Sequence, residues 1–517
     1  MHTDAGGGIW SWVAALLTLT YVLLLVRYAW IGFSESDDVF YATAAQQWVG
    51  HFHLAANHWG LRHAIVLPMA LGFAVFGRNE MTLVFPSLLY FVLLLGLSFV
   101  CVRRIAGYYG GLLAVALVAS TPVIVSGASW VTTDLPETFF LLASVWLFLY
   151  ALETGGRVWQ FVLCGIFAGL GLITRETSVV LAVFYGILMM RNYGGRRDIY
   201  LWIGVGVALV LAIDTAYLAG SSGDLLYRLH ISQQGVKGDN PDMVGQFQTQ
   251  QGLDRFGSLT APRWLQAWIV LFFNQNFGIL PWLGLAATVY LSVKAVARIR
   301  TISRMVLLLA AVWFLVMSFV FTFLWLVPRY QILTAAALAM PLAIYLADTI
   351  RKGRMVVAVG VVCAAAGFAL LAIGVSDRNP LFGEKALAHI AAQGTASRIN
   401  TDPGTLRGAA WLLDANESAQ RVVAEPPRPG DLYFFYDRPR RGLPKDWPVQ
   451  RPGSDWIEVA QMQEPPRPMI ALIFGMGLEH VLPDAVARKL NFQPRHAVLF
   501  RLPAPPLPAG GQDSTSR

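Results

Sequence analysis

The feature that most constrains this chain is a series of uninterrupted apolar stretches, each long enough to cross a bilayer. A hydrocarbon core of about 30 Å needs roughly 20 helical residues. Such runs lie near 9–33, 80–101, 108–128, 132–152, 158–174, 176–190, 199–219, 264–291, 305–326, 329–349 and 355–374, which predicts about eleven spans. The pair 158–174 and 176–190 is separated by little more than Arg175, so it reads as a tight hairpin or one bent segment. Hydrophobic residues make up 56 % of the chain and charged residues 14 %, against about 25 % charged in ordinary soluble proteins. So little charge cannot cover a water-facing surface. A soluble enzyme, a disordered regulator and a nucleic-acid-binding protein all fit this composition poorly. Cys101, Cys164 and Cys363 sit in or beside apolar runs, as small buried hydrophobes rather than a disulfide or thiolate-metal framework.

Orientation follows from the short loops. Arg103 and Arg104, Arg157, Arg191 with Arg196 and Arg197, Lys294 through Arg304, and Arg351, Lys352 and Arg354 fall in alternate loops. The positive-inside rule places those loops in the cytoplasm. The opposite face carries the long loops 34–79 and 220–263. With no basic n-region or small-residue cleavage site, the first span reads as an uncleaved anchor. The expectation is a multi-pass inner (plasma) membrane protein with a transmembrane domain over 1–374. Beyond it come an extracytoplasmic α/β domain over 375–502 and a disordered tail over 503–517. In the α/β domain, strands are expected at 421–424, 432–436 and 469–474, with helices at 404–415 and 480–490.

Candidate chemistry gathers on the outer face. Glu35, Asp37 and Asp38 follow directly on the first span. Two short amphipathic stretches come next, one through Tyr41, Ala44, Ala45 and Trp48 and one over 61–76, and both read as helices lying along the interface. Asp134 and Glu137, three residues apart at the head of the fourth span, share one helix face. An acid near hydrocarbon costs roughly 2.5–3.5 kcal/mol towards a helix centre unless it is paired or wet. Arg62, Arg175 and Arg329, the last beside Tyr330, sit at helix ends on the same face. Each alone suits snorkelling to lipid headgroups. Together they suit bidentate phosphate binding, which points to a phosphorylated lipid as substrate.

Asp37-Asp38-Val39-Phe40-Tyr41 resembles the Asp-Glu-x-x-Tyr opening of the first outer loop in GT-C glycosyltransferases. These are the polyprenyl-phosphate-sugar enzymes that include protein O-mannosyltransferases and the lipid A aminoarabinose transferase. Arg62-His63 through Pro68 to Phe76-Gly77 resembles their Lys-Pro-Pro-Leu … Leu-Phe-Gly interfacial helix, with Arg-His in place of Lys-Pro. Thr133–Phe140, Gly169–Glu176 and Pro328-Arg329-Tyr330 are similar to further family patterns in the same order, over roughly residues 9–350. The resemblance implies inverting transfer of a sugar from a polyprenyl-phosphate donor to an envelope acceptor, whether lipopolysaccharide or lipid A, another glycan or a protein. It implies Asp37 as general base, and Arg62, Arg175, Arg329 and Tyr330 around the donor phosphate. Asp38, Asp134 and Glu137 would bind the acceptor or, as in metal-using members, a divalent cation. His58 and His63 are poorly spaced for a metal. Tyr227, His230, Lys237 and Gln246–Gln251 would lie on the acceptor side by position. A flippase of a lipid-linked glycan is the competing reading. It calls for ionisable residues at mid-membrane and for related halves, whereas Asp37, Asp134 and Glu137 sit at helix ends.

Overall fold

A computed structural model describes residues 8–50, 54, 57–237, 263–321, 327–376, 379–393, 398–437, 446–465, 467–481 and 494–503. Two compact units form, one of residues 1–32 with 36–374 and one of 33–35 with 375–517.

The first unit is a helical membrane bundle. Its helices are α1 (Ile9–Tyr28), α2 (Asp37–Gly50), α3 (His63–Phe76), α4 (Glu80–Ala119), α5 (Pro122–Gly127), α6 (Asp134–Glu153), α7 (Val158–Thr174), α8 (Val180–Met190), α9 (Asp198–Ser222) and α10 (Tyr227–Lys237). After these come α11 (Arg263–Phe273), α12 (Leu280–Lys294), α13 (Ala297–Leu315, ending in a wide turn Val316–Val320), α14 (Ile332–Arg351) and α15 (Met355–Gly374). Among the described residues seven helices are long and apolar enough to span a membrane. Shorter apolar helices accompany them at His63–Phe76, Val158–Thr174, Glu176–Met190 and Trp264–Phe273.

The breaks within and between the expected spans have local causes. The runs 80–101 and 108–128 start as one helical stretch that breaks at Gly107, whose left-handed φ of 81° only glycine adopts without strain. That stretch stops at Ala119, and Pro122 opens the separate α5 in its first turn. The run 264–291 is α11 and α12. They are parted where Asn274 Oδ1 accepts from the Asn276 backbone N–H, and Pro281 starts the next helix. Between α7 and α8 the backbone is extended at Arg175 and then turns through a short 3-10 segment, Glu176–Val179.

Two long helices set the polarity of the bundle. α6 runs 20 residues from Asp134 to Glu153, and Glu153 pairs with Arg298 at 2.7 Å and Arg104 at 3.5 Å. α14 starts beside Arg329 and Tyr330 and ends at Arg351, whose guanidinium donates to the Ala106 carbonyl. Twenty residues at 1.5 Å each give about 30 Å, a bilayer's hydrocarbon depth. The Arg-rich loops therefore lie about a hydrocarbon thickness from the starts of these helices, where Asp134, Glu137 and Arg329 sit.

The second unit is a small α/β domain. Its sheet has the order β2-β1-β3-β5-β4, with β1 (Ile399–Asn400), β2 (Val422–Val423), β3 (Leu432–Tyr436), β4 (Ile457–Gln463) and β5 (His496–Arg501). β1 runs parallel to β2 and β3, and β5 runs antiparallel to β3 and β4. Helices α16 (Phe382–Gln393) and α17 (Pro403–Ala415) cover Phe434, Tyr436 and Leu499 with Leu387 and Leu413. Asp402 caps α17 by accepting from the Thr405 N–H at 2.9 Å. The expected strand at 469–474 is instead a helix, α18 (Pro468–Gly475), opened by Pro468. A short, wholly apolar run carries no periodicity to separate the two states. Residues 482–490 of the expected helix 480–490, residues 504–517 of the expected tail, and Gln246–Gln251 lie outside the described residues.

α7 and α9 meet at glycine. A Cβ on Gly165 would lie 2.0 Å from the Ile203 carbonyl oxygen, and one on Gly206 2.1 Å from that of Val162. Small residues let membrane helices approach this closely. Gly165→Ala and Gly206→Ala are each expected to destabilise the protein by about 1–3 kcal/mol, read as a lower unfolding midpoint in detergent.

Candidate active site

The head of α6 starts from a sequence conflict: two acids, Asp134 and Glu137, enter an apolar helix in its first turn. Both are almost fully buried, at 3 % exposure each. The extended backbone at Arg175 sends its buried guanidinium to them, donating to Asp134 Oδ1 and reaching Glu137 Oε2 at 3.4 Å. Thr177 and Ser178, in the 3-10 turn after Arg175, donate to Glu137 Oε1, Ser178 at 3.1 Å. Arg175 also stacks on Tyr330, 4.1 Å from the ring centroid. Buried carboxylates need this compensation, because an unpaired charge in low dielectric is far more costly.

Arg329 extends the network outwards. Its Nε lies 3.6 Å from Asp134 Oδ2 and its Nη2 3.8 Å from Asp37 Oδ2, with its guanidinium 5.2 Å from the Trp130 ring centroid. Arg329 and Asp37 keep 23 % and 31 % of their side-chain surface exposed, whereas Asp134 keeps 4 %. The open part of the cluster is therefore an Asp37 carboxylate beside a guanidinium. The Trp313 indole N–H donates to the Tyr330 carbonyl at 3.0 Å and fixes the turn that carries Arg329.

Asp38 has a separate position. It is fully buried, and its Oδ1 accepts from the backbone N–H groups of Ser36 and Val39 at the start of α2. Those bonds hold the first turn and present Asp37 next door. One turn further on, Arg62 donates to the phenol oxygen of buried Tyr41. Burial pushes the Tyr41 hydroxyl up to about 12 against the opposition of Arg62, with Asp37 adding to the rise. Burial works against the Arg62 charge, but Tyr41 and Glu176 outweigh it and raise its affinity for the proton. Tyr41 therefore keeps its hydrogen, and its hydroxyl can donate while accepting from Arg62.

The structure thus brings Asp37, Asp134, Glu137, Arg175, Arg329 and Tyr330 into one continuous network. Arg62 stands beside it through Tyr41, and Asp38 stands behind the first turn of α2. His230 is exposed and pairs with Asp224 at 2.7 Å, and Tyr227 packs against a small cluster with Leu61 and Leu218. Tyr41 and Trp130 are contacts that residue type alone does not single out, since only the fold turns an ordinary interfacial aromatic towards a cation. Among the described residues no group of three or more His, Cys, Asp or Glu has the arrangement of a metal site. Asp134 and Glu137 are already engaged by Arg175, so a divalent ion would have to displace a guanidinium. The donor set does not fit a cation without that rearrangement.

An apolar cavity of about 530 Å³ lies between α11, α12, α13 and α14. Trp268, Phe272, Phe314, Phe319 and Leu338 line it, and Thr334 places it one helical turn from Tyr330. Phe319 and Leu315 at its rim are 64 % and 57 % exposed, as suits a cleft open to lipid.

Against solved structures, this architecture is similar to ArnT from Cupriavidus metallidurans. The apo form has a TM-score of 0.51 at 14 % identity, over 81 % of this chain and 92 % of that one. The form bound to undecaprenyl phosphate also has a TM-score of 0.51, at 15 % identity over 83 % and 93 %. The archaeal oligosaccharyltransferase AglB from Archaeoglobus fulgidus, in complex with an inhibitory peptide and a dolichol-phosphate, has a TM-score of 0.50 at 13 % identity. That match covers 80 % of this chain and 65 % of AglB. The chain has a GT-C fold. Within it, residues 63–217 match the family model described as dolichyl-phosphate-mannose-protein mannosyltransferase. That stretch runs from α3 to α9 and holds Asp134, Glu137 and Arg175. No curated protein sequence matches the chain.

Burial, with Arg62 adding to it, pushes the His58 imidazole down to about 4 from its ordinary 6.5. The folded state therefore disfavours the imidazolium. Stability associated with neutral His58 is complete above about pH 6.5 and is lost as the pH falls towards 4. His58→Gln is expected to lessen this acid-side loss relative to wild type, read from unfolding midpoints across that interval.

Proposed function

We propose that this protein is an inverting glycosyltransferase that moves a sugar from a polyprenyl-phosphate donor to an acceptor at the outer face of the membrane. The observation that carries the reading is the position of Arg329 between Asp37 and Asp134, which puts an open carboxylate and a phosphate-binding cation side by side. The GT-C fold, the match to a lipid-phosphate-dependent mannosyltransferase family, and the polyprenyl phosphates bound by ArnT and AglB support the donor class. The side of the membrane rests on the Arg-rich loops at the far ends of α6 and α14.

In this mechanism the sugar lies over Asp37 with its anomeric carbon facing the acceptor. The Asp37 carboxylate takes the proton from the acceptor hydroxyl or amine as that atom attacks the anomeric carbon. The bond from that carbon to the phosphate oxygen breaks on the opposite side, and the polyprenyl phosphate leaves with the electron pair. Arg329 and Arg62 meet the growing phosphate charge, and Tyr41 can add a hydroxyl hydrogen bond. Arg175 and Arg329 together offset the charge of Asp134 and Glu137, which lessens their repulsion of an anionic donor. The apolar cavity near Thr334 takes the first isoprene units. The acceptor is an envelope glycan, a lipid such as lipid A, or a protein, and the C-terminal α/β unit belongs to the same outer compartment.

Mass spectrometry of envelope glycans and glycoproteins with and without the protein is the direct test, with one sugar expected to disappear on deletion. Asp37→Asn is expected to lower transfer by about 100-fold or more while the protein still accumulates in the membrane. Full turnover by that variant would remove Asp37 as base. Arg329→Ala is expected to raise the donor concentration for half-maximal rate by about tenfold, or 1.4 kcal/mol. An unchanged donor dependence would remove its phosphate role.

A further inference from the structure

Outside the site, the bundle buries a heavily bonded charge at Asp214, an acid inside the spanning helix α9 with only 6 % exposure. Arg228, the second residue of α10, grips it with both edges of its fork, Nε to Oδ2 at 2.6 Å and Nη2 to Oδ1 at 2.9 Å. His63 Nδ1 approaches the same carboxylate at 3.4 Å. The remaining donors of Arg228 leave the pair. Nη2 also donates to the Leu61 carbonyl at 2.9 Å, and Nη1 to the Ile173 carbonyl at 3.3 Å.

Those two carbonyls sit in revealing places. Leu61 immediately precedes Arg62, and Ile173 lies two residues before Arg175, where the chain leaves α7. One guanidinium therefore ties together the backbones of the two turns that carry site cations, although those turns are more than a hundred residues apart in sequence. Asp214 sets the plane of that guanidinium, because a bidentate pair admits one orientation. An acid so costly in a spanning helix thereby acquires a purpose in aiming the fork.

We propose that Arg228, oriented by Asp214, is a positioning residue that holds the Arg62 and Arg175 turns in register for the donor phosphate. The inference rests on the donor class argued above. Arg228 does not touch the phosphate. It acts by limiting how far Arg62 can drift from Tyr41 and how far Arg175 can drift from Asp134, since a displacement of about 1 Å in a positioning group already weakens function strongly.

The test uses the full-length protein in nanodiscs, with undecaprenyl phosphate as probe. Arg228→Lys keeps a cation on Asp214 but loses the fork, and Asp214→Asn removes its orienter while sparing the guanidinium. Both are expected to weaken undecaprenyl phosphate binding about tenfold, and to speed backbone amide exchange at residues 61–65 and 174–178 while exchange elsewhere in the bundle stays as in wild type. A wild-type protein that does not bind undecaprenyl phosphate overturns the donor reading, and this inference with it. Wild-type binding with unchanged affinity in either folded variant overturns the positioning role alone. So does a lowered unfolding midpoint without altered affinity or local exchange.

Discussion

A buried carboxylate in a membrane bundle has to be neutralised, and the structure around the site depends on how Asp134 and Glu137 meet that demand. Their place in the first turn of α6 puts two charges where neither water nor lipid can solvate them. Arg175 answers both at once, but only because the backbone at Arg175 leaves the helical conformation and lets its side chain cross to α6. The same break brings Thr177 and Ser178 within reach of Glu137. A regular helix through residues 158–190 would have pointed these groups elsewhere and left α6 with unpaired charge.

From that base the network grades outwards in exposure. Asp134 and Glu137 are buried, Arg329 is partly open, and Asp37 is the most open carboxylate of the set. Paired, dry charges hold geometry, whereas a carboxylate with solvent access can exchange a proton. Helix lengths supply the second constraint. α6 and α14 each start at the network and end at the Arg-rich loops about 30 Å away, so those loops and the charge cluster of the candidate site lie at opposite ends of the same helices.

Much of this was legible in residue order. Apolar run length marked a polytopic helical protein, and the acids and arginines of the site drew notice because charged residues are scarce near such runs. Boundaries were less legible where two states share one signal. The stretch 469–474 is apolar throughout, and Pro468 at its head decides for a helix. The stretch 264–291 stays apolar across a break made by a side chain-to-backbone turn at Asn274. The partnership of Asp214 with Arg228 gave no local sign at all, since it joins a mid-helix acid to a residue beyond the end of its own helix and to carbonyls from two distant turns.

Amino-acid order alone determined that this chain must live in a bilayer, which way its short loops bias it, and which few ionisable residues it places at helix ends, because transfer free energies add up residue by residue. Only the tertiary structure decided which acid meets which arginine, that Arg62 rests on Tyr41, and that Arg228 joins two remote turns. Those pairings rest on distances of a few ångströms between segments far apart in the chain, and no local propensity encodes them.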